Sequence, residues 1–168
     1  MTNLKIILLK YKKIIRVSCL ILFCFNGLPA FAQVLSVTTV QNMSFGAFAQ
    51  GSSGGTVIIS NTGSRSVTGT VVPLNLGTAY NQAIFEVEAV EGTVVSISNG
   101  PDATLTGSNG GTMSLHIGNA DPGSPFISTI ASPGRTQVKI GGTLTVGNLA
   151  TSPPGSYSGT FYITFNNE

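Results

Sequence analysis

The sequence has 168 residues, 42% of them hydrophobic and only 8% charged, with 21 Gly, 8 Pro, 2 Cys and no Trp. That composition excludes a coiled coil, a collagen-like repeat and a charged disordered tail, each of which draws on a different set of residues. The formal net charge of +2 is unevenly spread, since Lys5, Lys10, Lys12, Lys13 and Arg16 supply five of the eight cations.

The basic segment is followed by an apolar run at 17–25, by the helix breakers Asn26, Gly27 and Pro29, and by Ala30, Phe31 and Ala32. A basic flank, a short apolar run and a small-residue A-x-A site are the parts of a secretory signal peptide. The run is too short to cross roughly 30 Å of hydrocarbon. Cleavage is expected after Ala32, which divides the chain into a signal peptide at 1–32 and a single domain at 33–168 with no stable membrane anchor. Cys19 and Cys24 both fall in 1–32, and neither has the neighbours of a lipoprotein signal, because Phe23 precedes Cys24 and Arg16 lies close to Cys19. The domain at 33–168 is cysteine-free, so no disulfide framework is available and its stability must come from its core. In that domain the cations Arg65, Arg135 and Lys139 face the acids Glu86, Glu88, Glu91, Asp102, Asp121 and Glu168, a net charge of −3. No cluster of cations interleaved with aromatics is present, so no nucleic-acid partner is expected.

From residue 33 onward, apolar and β-branched residues come in short bursts at 34–40, 56–60, 67–74, 84–90, 94–98, 112–117, 136–146 and 157–165. Several alternate with a period of two. The last is the clearest, with Tyr157, Gly159, Phe161, Ile163 and Phe165 on one face and Ser158, Thr160, Tyr162 and Thr164 on the other. No window past the signal repeats apolar residues at helical spacing, and the Gly, Ser, Thr and Asn content disfavours helix. Gly followed by Thr recurs at Gly55-Thr56, Gly69-Thr70, Gly92-Thr93, Gly111-Thr112, Gly142-Thr143 and Gly159-Thr160, at intervals too uneven for a solenoid. Glycine supplies the turn or bulge and threonine the pleated backbone that follows. Asn61-Thr62-Gly63-Ser64 is expected to be a hairpin loop, 99–111 and 118–125 surface loops, and Ser152-Pro153-Pro154-Gly155 a rigid turn. Together these features predict an all-β fold, an immunoglobulin-like or Greek-key β-sandwich of about eight or nine short strands.

Several segments occur in an order that resembles the domain of unknown function 4402 family. They are Met43-Ser44-Phe45-Gly46, Gly55-Thr56-Val57-Ile58-Ile59, Ala83-Ile84-Phe85-Glu86-Val87 and Met113-Ser114-Leu115. The most specific pair is C-terminal: Ile140-Gly141-Gly142-Thr143-Leu144-Thr145-Val146, then Gly155-Ser156-Tyr157-Ser158-Gly159-Thr160-Phe161 with Asn166 beyond it. The resemblance covers almost all of 33–168. It implies a bacterial exported β-sandwich, similar in outline to fimbrial subunits and spore-coat-like secreted domains, with no catalytic residues to carry over.

The inventory of reactive side chains is short. His116 is the single histidine and sits in the 112–117 strand, so a Cys-His pair or a multi-histidine metal site cannot be built. A serine triad would have to recruit His116 with Asp102 or Asp121, and no Gly-x-Ser-x-Gly turn leads into a helix. Glu86 and Glu88 share one strand face and alternate with Phe85 and Val87, as on a wet face backing a buried one. Asp102 and Asp121 lie among Gly and Asn but lack further acidic ligands at calcium-loop spacing. The glycine runs at 51–55 and 107–111 lack the lysine and helix of a phosphate cradle and are turns. No catalytic, cofactor or metal residue is therefore assigned, and the chain is expected to be no enzyme.

Phe85, Phe161 and Phe165 are assigned to the core, while Tyr80, Phe126 and Tyr162 are candidates for a surface contact and Arg65 and Arg135 for an interface. Two functional classes follow. One is a fimbria-like structural component of the cell surface that self-associates, or joins other surface subunits, by adding its strand at 34–40 to a neighbour's sheet. The other is a stand-alone secreted module presenting loops such as 99–111 to a glycan or host surface. Either is exported, to the cell surface or medium, with the periplasm as the alternative compartment.

Overall fold

The computed structural model describes residues 35–168, so the expected signal peptide, its cleavage site and the lack of a lipid or membrane anchor lie outside the described residues. Among the described residues there are fifteen strands and no helix. The N-terminal third forms β1 (Ser36–Gln41), β2 (Ser44–Phe45), β3 (Phe48–Ala49), β4 (Gly55–Ile59) and β5 (Arg65–Gly69). Next come β6 (Val72–Pro73), β7 (Tyr80–Asn81), β8 (Ala83–Glu88), β9 (Val94–Asn99) and β10 (Ala103–Gly107). The C-terminal part supplies β11 (Thr112–Asp121), β12 (Phe126–Ile127), β13 (Thr136–Val146), β14 (Tyr157–Ser158) and β15 (Ile163–Asn167). Nine of these have five or more residues, as the predicted strand count requires, and the other six are two-residue pieces.

One eight-stranded antiparallel sheet carries the fold, in the order β1-β8-β13-β11-β10-β14, with β4 also on β13 and β5 on β4. A three-stranded sheet, β12-β9-β15, and the short pairs β2-β7 and β3-β6 make up the rest. Neighbours in each sheet are mostly distant in sequence, as Greek-key connections demand. The eleven-residue β13 organises the large sheet. Along one edge it pairs β11, and along the other it pairs β8 through Thr136–Ile140 and then β4 through Gly142–Val146. Gly141 sits at the changeover, where a Cβ would lie 2.7 Å from the Ser60 carbonyl carbon, so only glycine lets the end of β4 come this close.

Period-two alternation puts Met113, Leu115 and Ile117 of β11 inside and Thr112, Ser114 and His116 outside. On β13 the inward face holds Val138, Ile140, Leu144 and Val146. These residues join Val57 and Ile59 of β4, Val87 of β8, Phe45 of β2 and Val95 of β9 in one buried cluster, which therefore draws on both layers of a β-sandwich. The Phe85 ring of β8 meets the Phe165 ring of β15 at 5.7 Å between centroids, tilted by 57°. Asn99 also crosses the layers, donating from Nδ2 to the carbonyls of Ile117 at 3.3 Å and Gly118 at 3.1 Å.

Three sequence expectations need correction. The expected loop at 99–111 contains β10, which pairs with β11 and buries Ala103 and Leu105. Only its tip at 107–110 is a turn, closed by Gly110 N–H donating to the Gly107 carbonyl at 3.1 Å. The expected loop at 118–125 begins inside a strand, because β11 continues past an irregularity between Ile117 and Ala120 as far as Asp121. The single strand expected at 157–165 is two. β14 pairs with β10 and β15 with β9, so the alternation of that run survives while its hydrogen-bonding partner changes. The hairpin at 61–64 is as expected, with Ser60 and Ser64 closing it through a 2.9 Å backbone bond.

Candidate functional site

The polar side chains that carry chemistry are dispersed. His116 of β11 and Asp102, just before β10, meet at 2.8 Å between Nδ1 and Oδ1, with side chains 70% and 58% exposed. The pair is a cross-strand contact on the outer face of the large sheet, a position that gives weak stabilisation in water. Asp121 lies apart, opposite Lys139 in the β11–β13 register. Glu86 and Glu88 do share a face of β8, where both engage Arg135, Glu86 at 3.4 Å and Glu88 at 3.6 Å. Ser132 Oγ donates to Glu88 Oε1 at 2.7 Å. Arg135 thus bridges these two carboxylates and offsets part of their charge. Among the described residues no group of three or more His, Cys, Asp or Glu is placed to hold a metal ion.

Arg65 proves to be an internal clamp. From β5 its Nη1 donates to the carbonyls of Phe45 and Ala47, each at 3.1 Å, and its guanidinium lies 4.4 Å from the centroid of the Tyr80 ring. Such a cation–π contact with two carbonyl acceptors fixes the segment around β2 and β3 to the large sheet. Tyr80 is accordingly a packing partner as well as an exposed ring. Phe126 is corrected from surface to core, being half-buried against the apolar cluster. Tyr162 is placed as expected, with 71% of the residue exposed.

Two features built from the backbone are more distinctive than any side-chain cluster. The first is β1. It pairs with β8 over five register positions, yet Ser36, Val37, Thr38, Thr39 and Val40 are all exposed. Leu35 before it and Met43 after it pack against the core, so the strand is tethered at both ends and bare between them.

The second is an apolar groove of about 800 Å³. Its floor is Leu105 of β10, Met113 and Leu115 of β11, and Leu144 of β13, the core face of the large sheet. Its walls are two segments, 43–50 and 153–161, which bring Phe45 and Phe48 on one side and Tyr157 and Phe161 on the other. None of the lining residues is charged. The walls are well anchored. Ser44 Oγ donates to the Ala79 carbonyl at 2.8 Å, Leu74 N–H to the Ala47 carbonyl at 3.0 Å, and Tyr157 Oη to the Pro153 carbonyl at 2.6 Å. Buried Ser152 ties the foot of the second wall to β11 by donating to the Thr112 carbonyl at 2.8 Å. Gln50 joins the two walls by donating from Nε2 to the Ser152 carbonyl.

Sequence reasoning did not find this groove. Its only local signal is the apolar cluster of Met43, Phe45, Ala47 and Phe48 in a stretch too broken for a regular strand.

The family model described as Domain of unknown function (DUF4402) matches residues 35–166. No curated protein and no solved structure matches the chain.

Proposed function

The chain belongs to the DUF4402 family, and from that premise we propose that it is a non-catalytic structural subunit of the bacterial cell surface, exported through the basic and apolar segment at 1–32 and assembled by strand addition. The observation that carries this reading is the exposure of all five residues from Ser36 to Val40 in a strand that is nonetheless paired with β8 from Ser36 to Thr39 and again at Gln41. Proteins ordinarily protect an edge strand with charge, proline or a covering element. β1 carries no charge and no proline, only an irregularity between Thr39 and Gln41, and Val37 and Val40 are among its exposed residues. Its attachment to β8 is made of backbone hydrogen bonds, each worth only about 0.5–1.5 kcal/mol net. The same bonds form equally well on another copy, so exchange between subunits costs little.

The chemistry of the rest supports a structural role. The carboxylates of β8 are engaged by Arg135, and the one histidine is paired with Asp102 on an open sheet face. A second reading, a stand-alone module for a glycan or host surface, draws on the open ring of Tyr162, a side chain suited to stacking on a sugar. It loses the loop first offered for it, since β10 occupies 103–107.

Size-exclusion chromatography with light scattering separates these readings. It is run on the chain recovered from exporting cells beside a sheared surface fraction. A heat-labile ladder of multimers in the sheared fraction is the expected result. A sharp monomer found only in periplasm or medium overturns the assembly reading and leaves the module.

A further inference from the structure

We infer that the outer face of β9 and β15 is a binding strip for a neutral, β-linked oligosaccharide, an assignment that rests on the sugar-stacking reading of Tyr162 and holds whether or not copies assemble. The strip follows from alternation. Ile163 and Phe165 of β15 and Val95 and Ile97 of β9 pack into the core, so Thr164, Asn166, Ser96 and Ser98 project from the opposite side. The register sets Thr164 beside Ser98 and Asn166 beside Ser96. Tyr162 heads the row, its carbonyl accepting from the Gly100 N–H at 2.9 Å.

Three properties of this face match a sugar. The first is an open aromatic platform. Tyr162 is 71% exposed, and opposite it stands Gly100, which has no side chain to shield the ring. A Cβ on Gly100 would lie 2.9 Å from the Tyr162 carbonyl oxygen and 3.3 Å from its Cβ, so a larger residue there would crowd the platform. The second is a set of neutral, uncommitted polar groups. Among the described residues the side chains of Ser96, Ser98, Thr164 and Asn166 make no hydrogen bond to the protein. On the outer face of the large sheet, by contrast, Thr56 and Thr68 bond each other at 2.7 Å and His116 is held by Asp102. Three hydroxyls and one amide both donate and accept, as sugar hydroxyls require, and they add no charge for a neutral ligand to desolvate. The third is size. Tyr162 to Asn166 covers about 13 Å at roughly 3.3 Å per residue, the length of about two or three pyranose rings laid along the strand. A β-linked chain with equatorial hydroxyls offers a flat C–H face to the aromatic ring and places the hydroxyls of the next sugar over Thr164 and Ser98.

The test uses the full chain recovered from exporting cells, with cellotriose and chitotriose as probes and anionic trigalacturonic acid as the comparison, read by isothermal titration calorimetry and saturation-transfer NMR. At least one neutral trisaccharide should bind more tightly than the anionic one. Tyr162→Ala should weaken it at least tenfold with an unchanged melting temperature, whereas Tyr162→Phe, which keeps the ring face, should weaken it by no more than about threefold. Ser114→Ala, on the outer face of the large sheet, should leave it unaltered. Neutral-sugar binding that Tyr162→Ala leaves intact, or tighter binding of trigalacturonic acid, overturns the strip and spares the glycan reading. Folded chain that binds none of the three sugars overturns both.

Discussion

Strand β8 is flanked by β13 on one side and β1 on the other, and each neighbour meets it over five register positions. The two flanks are otherwise opposites. β13 buries Val138, Ile140, Leu144 and Val146, whereas the five residues from Ser36 to Val40 stay in solvent. Equal pairing with unequal burial separates two contributions to a sheet. Hydrogen bonds orient a strand, and apolar burial, at about 25 cal/mol per Å², decides whether it stays. In this molecule the strand that carries little hydrophobic anchorage is also the one nearest the N-terminus of the domain.

The comparison can be broken most severely at β13. Leu144→Ala removes a fully buried side chain that also floors the groove, and a loss of about 2–5 kcal/mol is expected from transfer and cavity terms. Urea unfolding would read it as a lower midpoint at unchanged slope. Native-state hydrogen exchange sharpens the same contrast without mutation. The β13 amides should exchange only through global unfolding, and the β1 amides through a local opening at least a hundredfold more frequent.

Arg65→Ala tests the clamp between the layers. Loss of two carbonyl contacts and the Tyr80 stacking should cost about 1–3 kcal/mol and raise exchange selectively at 44–49. The smallest effect on stability belongs to Val37→Lys with Val40→Lys. Both sites are exposed, so thermal unfolding should move by no more than about 0.5 kcal/mol. Under the proposed strand addition, multimers in the sheared fraction should nevertheless disappear, because lysines on an edge strand oppose its pairing with another chain.

Much of this architecture was legible in the sequence, and the gaps have physical causes. Alternation identified β4, β8, β9, β11 and β13 because each has a buried face with several apolar residues. It missed β10, whose inward face is only Ala103 and Leu105 set among Thr, Ser and Gly. It ran β14 and β15 together because a period of two reports which way side chains point and is silent about which strand accepts the hydrogen bonds. The stretch at 34–40 was recognisable as a strand from its valines and threonines, but its bareness depends on what lies above β8. The groove was beyond reach for a related reason. Gln50 and Ser152 stand 102 residues apart, and only the folded chain brings their segments together. Arg65 was read as an interface residue because its partners are main-chain carbonyls and an aromatic ring, none of which marks itself in sequence as an acceptor for a cation.

The place of β13 in the chain bears on the timing of folding. β4 and β8 lie side by side along one edge of β13 and are not paired with each other. Both emerge early during synthesis, while the strand that holds them begins only at Thr136 of 168 residues. A nascent chain therefore reaches four-fifths of its length with its central sheet still unmade. It stays threadable, and open to capture by whatever handles unfolded polypeptide, until its last few dozen residues arrive.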